Sequence, residues 1–374
     1  MLKTFLTPSH QKNECKSEPD SFHFLSVVKL STKIITGKNN IFSHKRLSGG
    51  WSRVPRNPLL DGPCILPFSS SMLRTIPTIF LILCVMTEAT ADTLRVMSFN
   101  IWVGGAAGRQ PLSQTVKVIR ESKADVVGMQ ESHAGKVDSA AKIAESLGWH
   151  HFRQGGQGES TSVISRYPIV GHTPKKYGVT IRVSQKITIK VFNVHFRPSP
   201  YQPYQLKRIP YGNAPFITTA KEAEAWARKA RGSQVDNLFS ELKPALALSG
   251  PVFLTGDFNE PSFQDWTDRA RESNLVPVSV KYPATSRVVK AGMTDSFRAV
   301  HPDEVKHRGH TWTNTTPPDD PKDFHDRIDF VFARGIKVIK SEVVGENDRN
   351  ADIVVAPWPS DHRAVVSSFI LGEN

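Results

Sequence analysis

The chain has 374 residues, 39% of them hydrophobic and 22% charged, which is ordinary for a globular protein of one large domain or two. Its formal net charge is +13; residues 1–91 hold 11 Lys/Arg and 5 Asp/Glu, leaving 37 against 30, or +7, for residues 92–374. All three cysteines, Cys15, Cys64 and Cys84, precede residue 92, which excludes a disulfide framework, a thiolate nucleophile and a zinc–sulfur centre from everything downstream.

Residues 1–71 mix Ser, Lys, Asn, Pro and Gly without steady periodicity and read as a disordered extension from a mis-called upstream start. Met72-Leu73-Arg74 then opens a basic n-region. Ile76 to Met86 is apolar apart from Thr78, and Ala89-Thr90-Ala91 supplies a small-x-small site before Asp92. That order predicts a secretory signal peptide over 72–91, cleaved after Ala91, and a secreted or periplasmic product. The apolar run is short for a membrane span. An uncleaved N-terminal anchor is the alternative.

Residues 92–374 read as a single domain of short strands alternating with helices. Leu94–Ile101 alternates like a half-buried strand. Ser113 caps a helix through about Ser122, and Ala124–Glu131 is an apolar strand ending on a carboxylate. A helix runs from Asp138 or Ser139 to Gly148. Strands follow at Ser162–Ser165, Thr180–Val183 and Lys186–His195. A Pro-rich segment from Phe196 leads into a charged, Ala-rich helix over Thr218–Leu242. Pro251–Asp257 is a buried strand, Phe263–Asn274 a helix, and Gly309–Trp312 a strand. Strands at Arg327–Ala333, Val338–Val344 and Ala364–Leu371 close the chain. Many strands with intervening helices and no linker predict an α/β sandwich.

The chemistry lies in where polar residues interrupt this pattern. Asn100, Glu131, His195, Asp257, Asn259, Asp329, Asp361 and His362 each stand at or near the end of an apolar run. Strand ends of layered α/β folds collect into one cleft, whereas a strand interior rejects such groups. Singly each has a plain explanation as a turn former, loop acid or structural histidine; eight together predict a site. Carboxylate and amide oxygens without cysteine or HExxH suit a hard cation, Mg²⁺ or Mn²⁺. Such an ion neutralises phosphoryl charge and activates water.

Six segments carry a resemblance. Met97-Ser98-Phe99-Asn100-Ile101-Trp102, Gly128-Met129-Gln130-Glu131, Phe192-Asn193-Val194-His195, Gly256-Asp257-Phe258-Asn259, Arg327-Ile328-Asp329-Phe330-Val331 and Pro359-Ser360-Asp361-His362 follow in order. Together they resemble the endonuclease/exonuclease/phosphatase superfamily, on its deoxyribonuclease I and neutral sphingomyelinase side, across about residues 94–371. The resemblance implies a four-layer α/β sandwich, two packed mixed sheets flanked by helices. It implies metal ligation by Glu131, Asn100 and Asp361, directly or through water. It gives Asp257 the attacking water and Asn259 that water or a phosphate oxygen. His195 and His362 stabilise the scissile phosphate, and Asp329 fixes the His362 tautomer. Whether His362 or Asp257 is the base stays open. Asp295 reads equally as a structural acid.

Arg197, Tyr201, Tyr204 and Trp312 are candidate substrate contacts, since aromatics among cations stack on bases or meet a lipid headgroup. An insertion packed on the domain explains the first three as well, and a core position explains Trp312. The resulting expectation is an exported, monomeric, metal-dependent phosphodiesterase acting on nucleic acid or on a phospholipid or small phosphodiester, with no stable protein partner. The basic surface suits such a polyanion or an anionic membrane, though it serves solubility equally. A non-catalytic binding module of the same fold is the competing class; a membrane-tethered form requires the leader to stay uncleaved.

Overall fold

In β1 (Thr93–Asn100) the apolar side chains alternate between two seams. Leu94 and Val96 enter one buried cluster, Met97 and Phe99 another, because successive strand side chains point to opposite faces. The structure, a computed structural model, describes residues 93–155 and 160–372. The expected extension, signal peptide and cleavage site lie outside the described residues. Among the described residues no helix is long and apolar enough to cross a membrane.

After β1 come α1 (Leu112–Glu121), β2 (Val126–Gln130), a small hairpin of β3 (His133–Ala134) and β4 (Val137–Asp138), α2 (Ser139–Leu147) and β5 (His150–Arg153). Next are β6 (Thr161–Ser165), β7 (Ile169–His172), β8 (Gly178–Arg182), β9 (Thr188–His195), α3 (Gln202–Lys207) and α4 (Ala220–Leu246). The chain continues through β10 (Val252–Asp257), α5 (Asp268–Glu272), α6 (Pro283–Lys290), β11 (Thr294–Asp295) and α7 (Ser296–Val300). It ends with β12 (Asp329–Arg334), β13 (Lys337–Gly345), β14 (Ile353–Val354) and β15 (Ala364–Ile370).

The strands form two mixed sheets, ordered β14-β13-β15-β1-β2-β6-β5 and β11-β12-β10-β9-β8-β7. Three clusters fill the seams of four layers. Val96, Val126, Val191, Phe253 and Val365 lie between the sheets. Met97, Phe99, Val118 and Ile143 join the first sheet to α1 and α2. Phe192, Leu254 and Phe330 join the second to Leu238 and Leu242 of α4 and Val288 of α6. Central strands β2, β6 and β10 are buried at every residue, as strands covered on both faces must be. The predicted four-layer α/β sandwich is the observed architecture.

Some local expectations are corrected. Pro111, not Ser113, precedes α1, with no side-chain cap; proline's fixed φ suits a helix start. The helix expected over Phe263–Asn274 shrinks to α5, because Thr267 caps it by accepting from the Ala270 N–H. Gly309–Trp312 forms no strand, only isolated bridges from Trp312 to Asp326 and His362. The Pro-rich segment is not all loop: α3 interrupts it, ending at Arg208 in the left-handed region, φ +60°. The capping box of Thr219 and Glu222 starts α4, which continues past Leu242 to Leu246.

Register places the polar positions on one edge. Parallel pairing sets Asp257 opposite His195, antiparallel pairing sets Asp257 opposite Asp329, and Asn100 pairs with Gln130 beside Glu131. β15 begins two residues after His362 and runs antiparallel to β1, which returns Asp361 and His362 to the edge where β1 ends.

Candidate active site

The C-terminal ends of β1, β2, β9 and β10 and the approaches to β12 and β15 surround Asp257, which is 1% exposed. Its Oδ2 accepts from Asn100 Nδ2 at 3.0 Å and from Asn259 Nδ2 at 3.3 Å. The same oxygen lies 3.5 Å from His195 Nε2 and 3.7 Å from His362 Nε2. Its Oδ1 accepts from the Asn259 backbone N–H at 2.8 Å. One buried carboxylate thus faces four side-chain nitrogens, an arrangement that offsets desolvation of its charge.

Glu131 and Asn259 occupy the left-handed region, at φ +51° and +48°. Such backbone in non-glycine residues costs about 1–3 kcal/mol and concentrates at functional sites. For Glu131 it turns the chain out of β2, so that Oε2 accepts from the Val103 N–H at 2.7 Å and Oε1 from Asn100 Nδ2 at 3.3 Å. For Asn259 it sends Nδ2 to the Phe196 carbonyl at 3.0 Å, tying β10 to the segment after β9.

His362 is held from behind. Its Nδ1 lies 2.9 Å from Asp329 Oδ2, and Thr311 Oγ1 accepts the Ile328 and Asp329 N–H groups at 3.1 Å. Burial works against charge on this imidazole, but the carboxylates of Asp329 and Asp257 outweigh it and push its pKa up to about 10. Burial raises the Asp329 carboxyl, with His362 opposing that rise. Asp329 Oδ1 is buried with no hydrogen-bond partner among the described residues. The Asp361 carboxyl is pushed up to about 6, by burial first; His362 opposes the rise, and the charges of Glu131 and Asp257 add to it.

Two contributors went unassigned from sequence. Ser360 Oγ donates to the Asn100 carbonyl at 2.6 Å and accepts from the His362 N–H at 3.2 Å, clamping the Asp361-His362 turn to the end of β1. Thr311 holds the start of β12 as described. Ser360 lay within a recognised motif, but a serine beside two ionisable residues gives no sequence signal of a clamp. Asp295 accepts from the Phe297 and Arg298 N–H groups and from buried Arg327, so it caps α7 and pairs an arginine.

The substrate candidates divide. Trp312 is half-buried and packs on His362, ring centroids 5.0 Å apart. Tyr201 and Tyr204 join it in lining a pocket of about 160 Å³, with Pro198, Tyr211, Asn259 and Ile328. Arg197 is exposed and does not line this pocket; its backbone N–H donates to Gln234 at 2.8 Å.

Asp257, Asp329 and His362 have candidate ligand atoms all within 4.8 Å of one another, yet His362 there already faces a carboxylate on each ring nitrogen. Of the expected ligands, Glu131 and Asp361 offer carboxylates whose charges act on each other, whereas Asn100 Oδ1 accepts from the Trp102 N–H at 3.0 Å and its Nδ2 faces Glu131 and Asp257. The mutual repulsion of Glu131, Asp257 and Asp361 is what a hard divalent cation would relieve, so the residues present fit such an ion.

The Endonuclease/Exonuclease/phosphatase family matches residues 97–362. An uncharacterized protein of Caenorhabditis elegans is 25% identical over 304 residues, covering 75% of this chain and 92% of the relative. Among solved structures, the chain is similar to an AP endonuclease from Archaeoglobus fulgidus at TM-score 0.46 and 16% identity, covering 74% of this chain and 99% of that one. It is also similar to the 3′-5′ exonuclease NExo from Neisseria meningitidis at TM-score 0.44 and 18% identity, covering 74% and 99%. The family match runs from inside β1 to the histidine paired with Asp329, and the chain belongs to the endonuclease/exonuclease/phosphatase family.

Proposed function

We propose that the chain is an exported, monomeric, metal-dependent phosphodiesterase that hydrolyses a P–O bond with water. The observation that carries this reading is the convergence of His195, His362, Asn259 and Asn100 on Asp257, with Glu131 beside them. A phosphate placed between the two imidazoles meets donors where charge develops, and a carboxylate stands ready for the water.

Asn100, Glu131 and Asp361 would hold Mg²⁺ or Mn²⁺. When bound, the ion supplies charge neutralisation of the phosphoryl oxygens and a lower pKa for bound water. The chain's residues do the rest. His362, kept protonated by Asp329 and Asp257, donates from Nε2 to a phosphoryl oxygen. Asp257, whose Oδ2 lies 3.5 Å from His195 Nε2 and 3.7 Å from His362 Nε2, orients and deprotonates the water. His195 approaches from the other side, and Asn259 holds an oxygen of the same phosphate. Export rests on the leader at 72–91, and the substrate is a nucleic acid or a phospholipid or small phosphodiester.

Purified protein assayed on bis(p-nitrophenyl) phosphate, plasmid DNA, RNA and sphingomyelin tests the reading. Turnover of at least one diester is expected, and full activity in His362→Ala would overturn the mechanism. Mass spectrometry of the native N-terminus should find Asp92 first; a chain beginning at Met1 would remove the export claim.

A further inference from the structure

Directly behind the cleft the seam between the two sheets turns polar. Ser98 of β1, Gln130 of β2, Asn193 of β9 and Thr255 of β10 are each at most 1% exposed. Each precedes a residue of the cleft by one or two positions: Asn100, Glu131, His195 and Asp257 in turn. Asn193 is the hub. Its Oδ1 accepts from Gln130 Nε2 at 2.6 Å and from Thr255 Oγ1 at 3.0 Å. Its Nδ2 faces the Met129 carbonyl, Gln154 Oε1 and the Ser162 carbonyl at 3.0, 3.0 and 3.1 Å. Gln130 Nε2 also lies 3.2 Å from Ser98 Oγ, which carries the link on to β1. Asn193 and Thr255 belong to the second sheet, while Gln130, Met129 and Ser162 belong to the first. One buried amide therefore ties the sheets together just below the residues they present.

Apolar burial is non-directional, whereas a hydrogen bond weakens steeply with distance and angle. An unpaired amide in this seam would be costly, so the network restricts how one sheet sits along the other. That placement matters because the seam divides the site. Asn100, Glu131 and Asp361 stand on or beside strands of the first sheet, and His195, Asp257 and Asp329 on strands of the second. We propose that Asn193, held by Gln130 and Thr255, is a positioning residue that sets the separation between the metal ligands of one sheet and the water-activating and phosphate-binding groups of the other. The proposal rests on the phosphodiesterase reading. Loosening the link leaves each half of the site intact and displaces the halves relative to each other, so the chemical step suffers and metal binding does not.

The Thr255 hydroxyl gives the test, because Thr255→Val keeps the side-chain shape and Thr255→Ser keeps the donor. With bis(p-nitrophenyl) phosphate and Mg²⁺, kcat of the full chain is expected to fall about tenfold in Thr255→Val with KM little changed, and to return in Thr255→Ser. Asn193→Leu, which removes the hub, should lose about 10²-fold in kcat; if it does not fold, the Thr255 pair decides. Calorimetric titration of Mg²⁺ without substrate should give Thr255→Val a Kd within about twofold of the wild type. A lower melting temperature with wild-type kcat in Thr255→Val overturns the proposal, as does a loss of Mg²⁺ affinity in parallel with kcat, or an equal loss of kcat in Thr255→Ser. A wild type that neither binds Mg²⁺ nor turns over a diester removes the phosphodiesterase reading and this proposal with it. Wild-type turnover indifferent to both Thr255 variants removes this proposal alone.

Discussion

At the scale of single residues, the site depends on charges that burial makes costly and geometry then restrains. Asp329 is fully buried, and its Oδ2 fixes His362 at 2.9 Å. Asp329→Asn keeps the shape but removes the charge that holds the imidazole protonated and oriented. In the reading above kcat should fall by roughly 10²–10⁴ with KM little changed; steady-state kinetics measure the split. Asp326, behind the tyrosines, gives a stability test. Burial pushes its carboxyl up to about 7, against the hydrogen bonds from Trp266 and Tyr201. A folded-state pKa above the unfolded value means that the folded chain keeps a proton the unfolded chain has lost. The stabilisation is therefore full below about pH 4 and is lost as pH rises through about 7. Asp326→Asn should flatten the wild-type decline in stability between these pH values by up to a few kcal/mol. Denaturant melts at pH 4.5 and 7.5 read the difference, and parallel slopes would contradict it.

At the scale of elements, the close approach of the two sheets depends on one glycine. A Cβ on Gly128 would fall 1.9 Å from Thr255 Oγ1 and 2.7 Å from Asn193 Oδ1. There Asn193 accepts from Gln130 at 2.6 Å and from Thr255 at 3.0 Å. Gly128→Ala should cost about 1–3 kcal/mol, seen as a lower melting temperature. Most strands were legible because alternation and continuous apolar runs report burial directly, as in β1 and β10. Their polar ends were legible too, since a carboxylate or imidazole closing such a run cannot face the core. Less legible was whatever depends on partners distant in sequence. The Phe263–Asn274 run has helical composition, but buried Asp265 there binds Arg298 and Arg327, and Thr267 starts the short α5. Arg197 had suitable chemistry but lies outside the pocket, whereas Tyr211, in the same segment, lines it. The 12-residue excursion between Pro198 and Ile209 folds back through α3, a path no local pattern specifies.

At the scale of the whole molecule, four layers present the ends of both sheets to one cleft, and three apolar seams hold those ends in register. The core therefore sets the distances around Asp257, consistent with catalytic groups placed on rigid elements. The central claim is that this cleft hydrolyses a phosphodiester with a bound divalent cation. The most direct test is one assay of bis(p-nitrophenyl) phosphate turnover by the full chain and by Glu131→Ala, each in Mg²⁺ and in EDTA. Turnover is expected for the wild type in Mg²⁺, with its loss in EDTA and recovery when Mg²⁺ is restored, and Glu131→Ala should be folded but inactive. Equal wild-type rates in Mg²⁺ and EDTA, or a fully active Glu131→Ala, would contradict it.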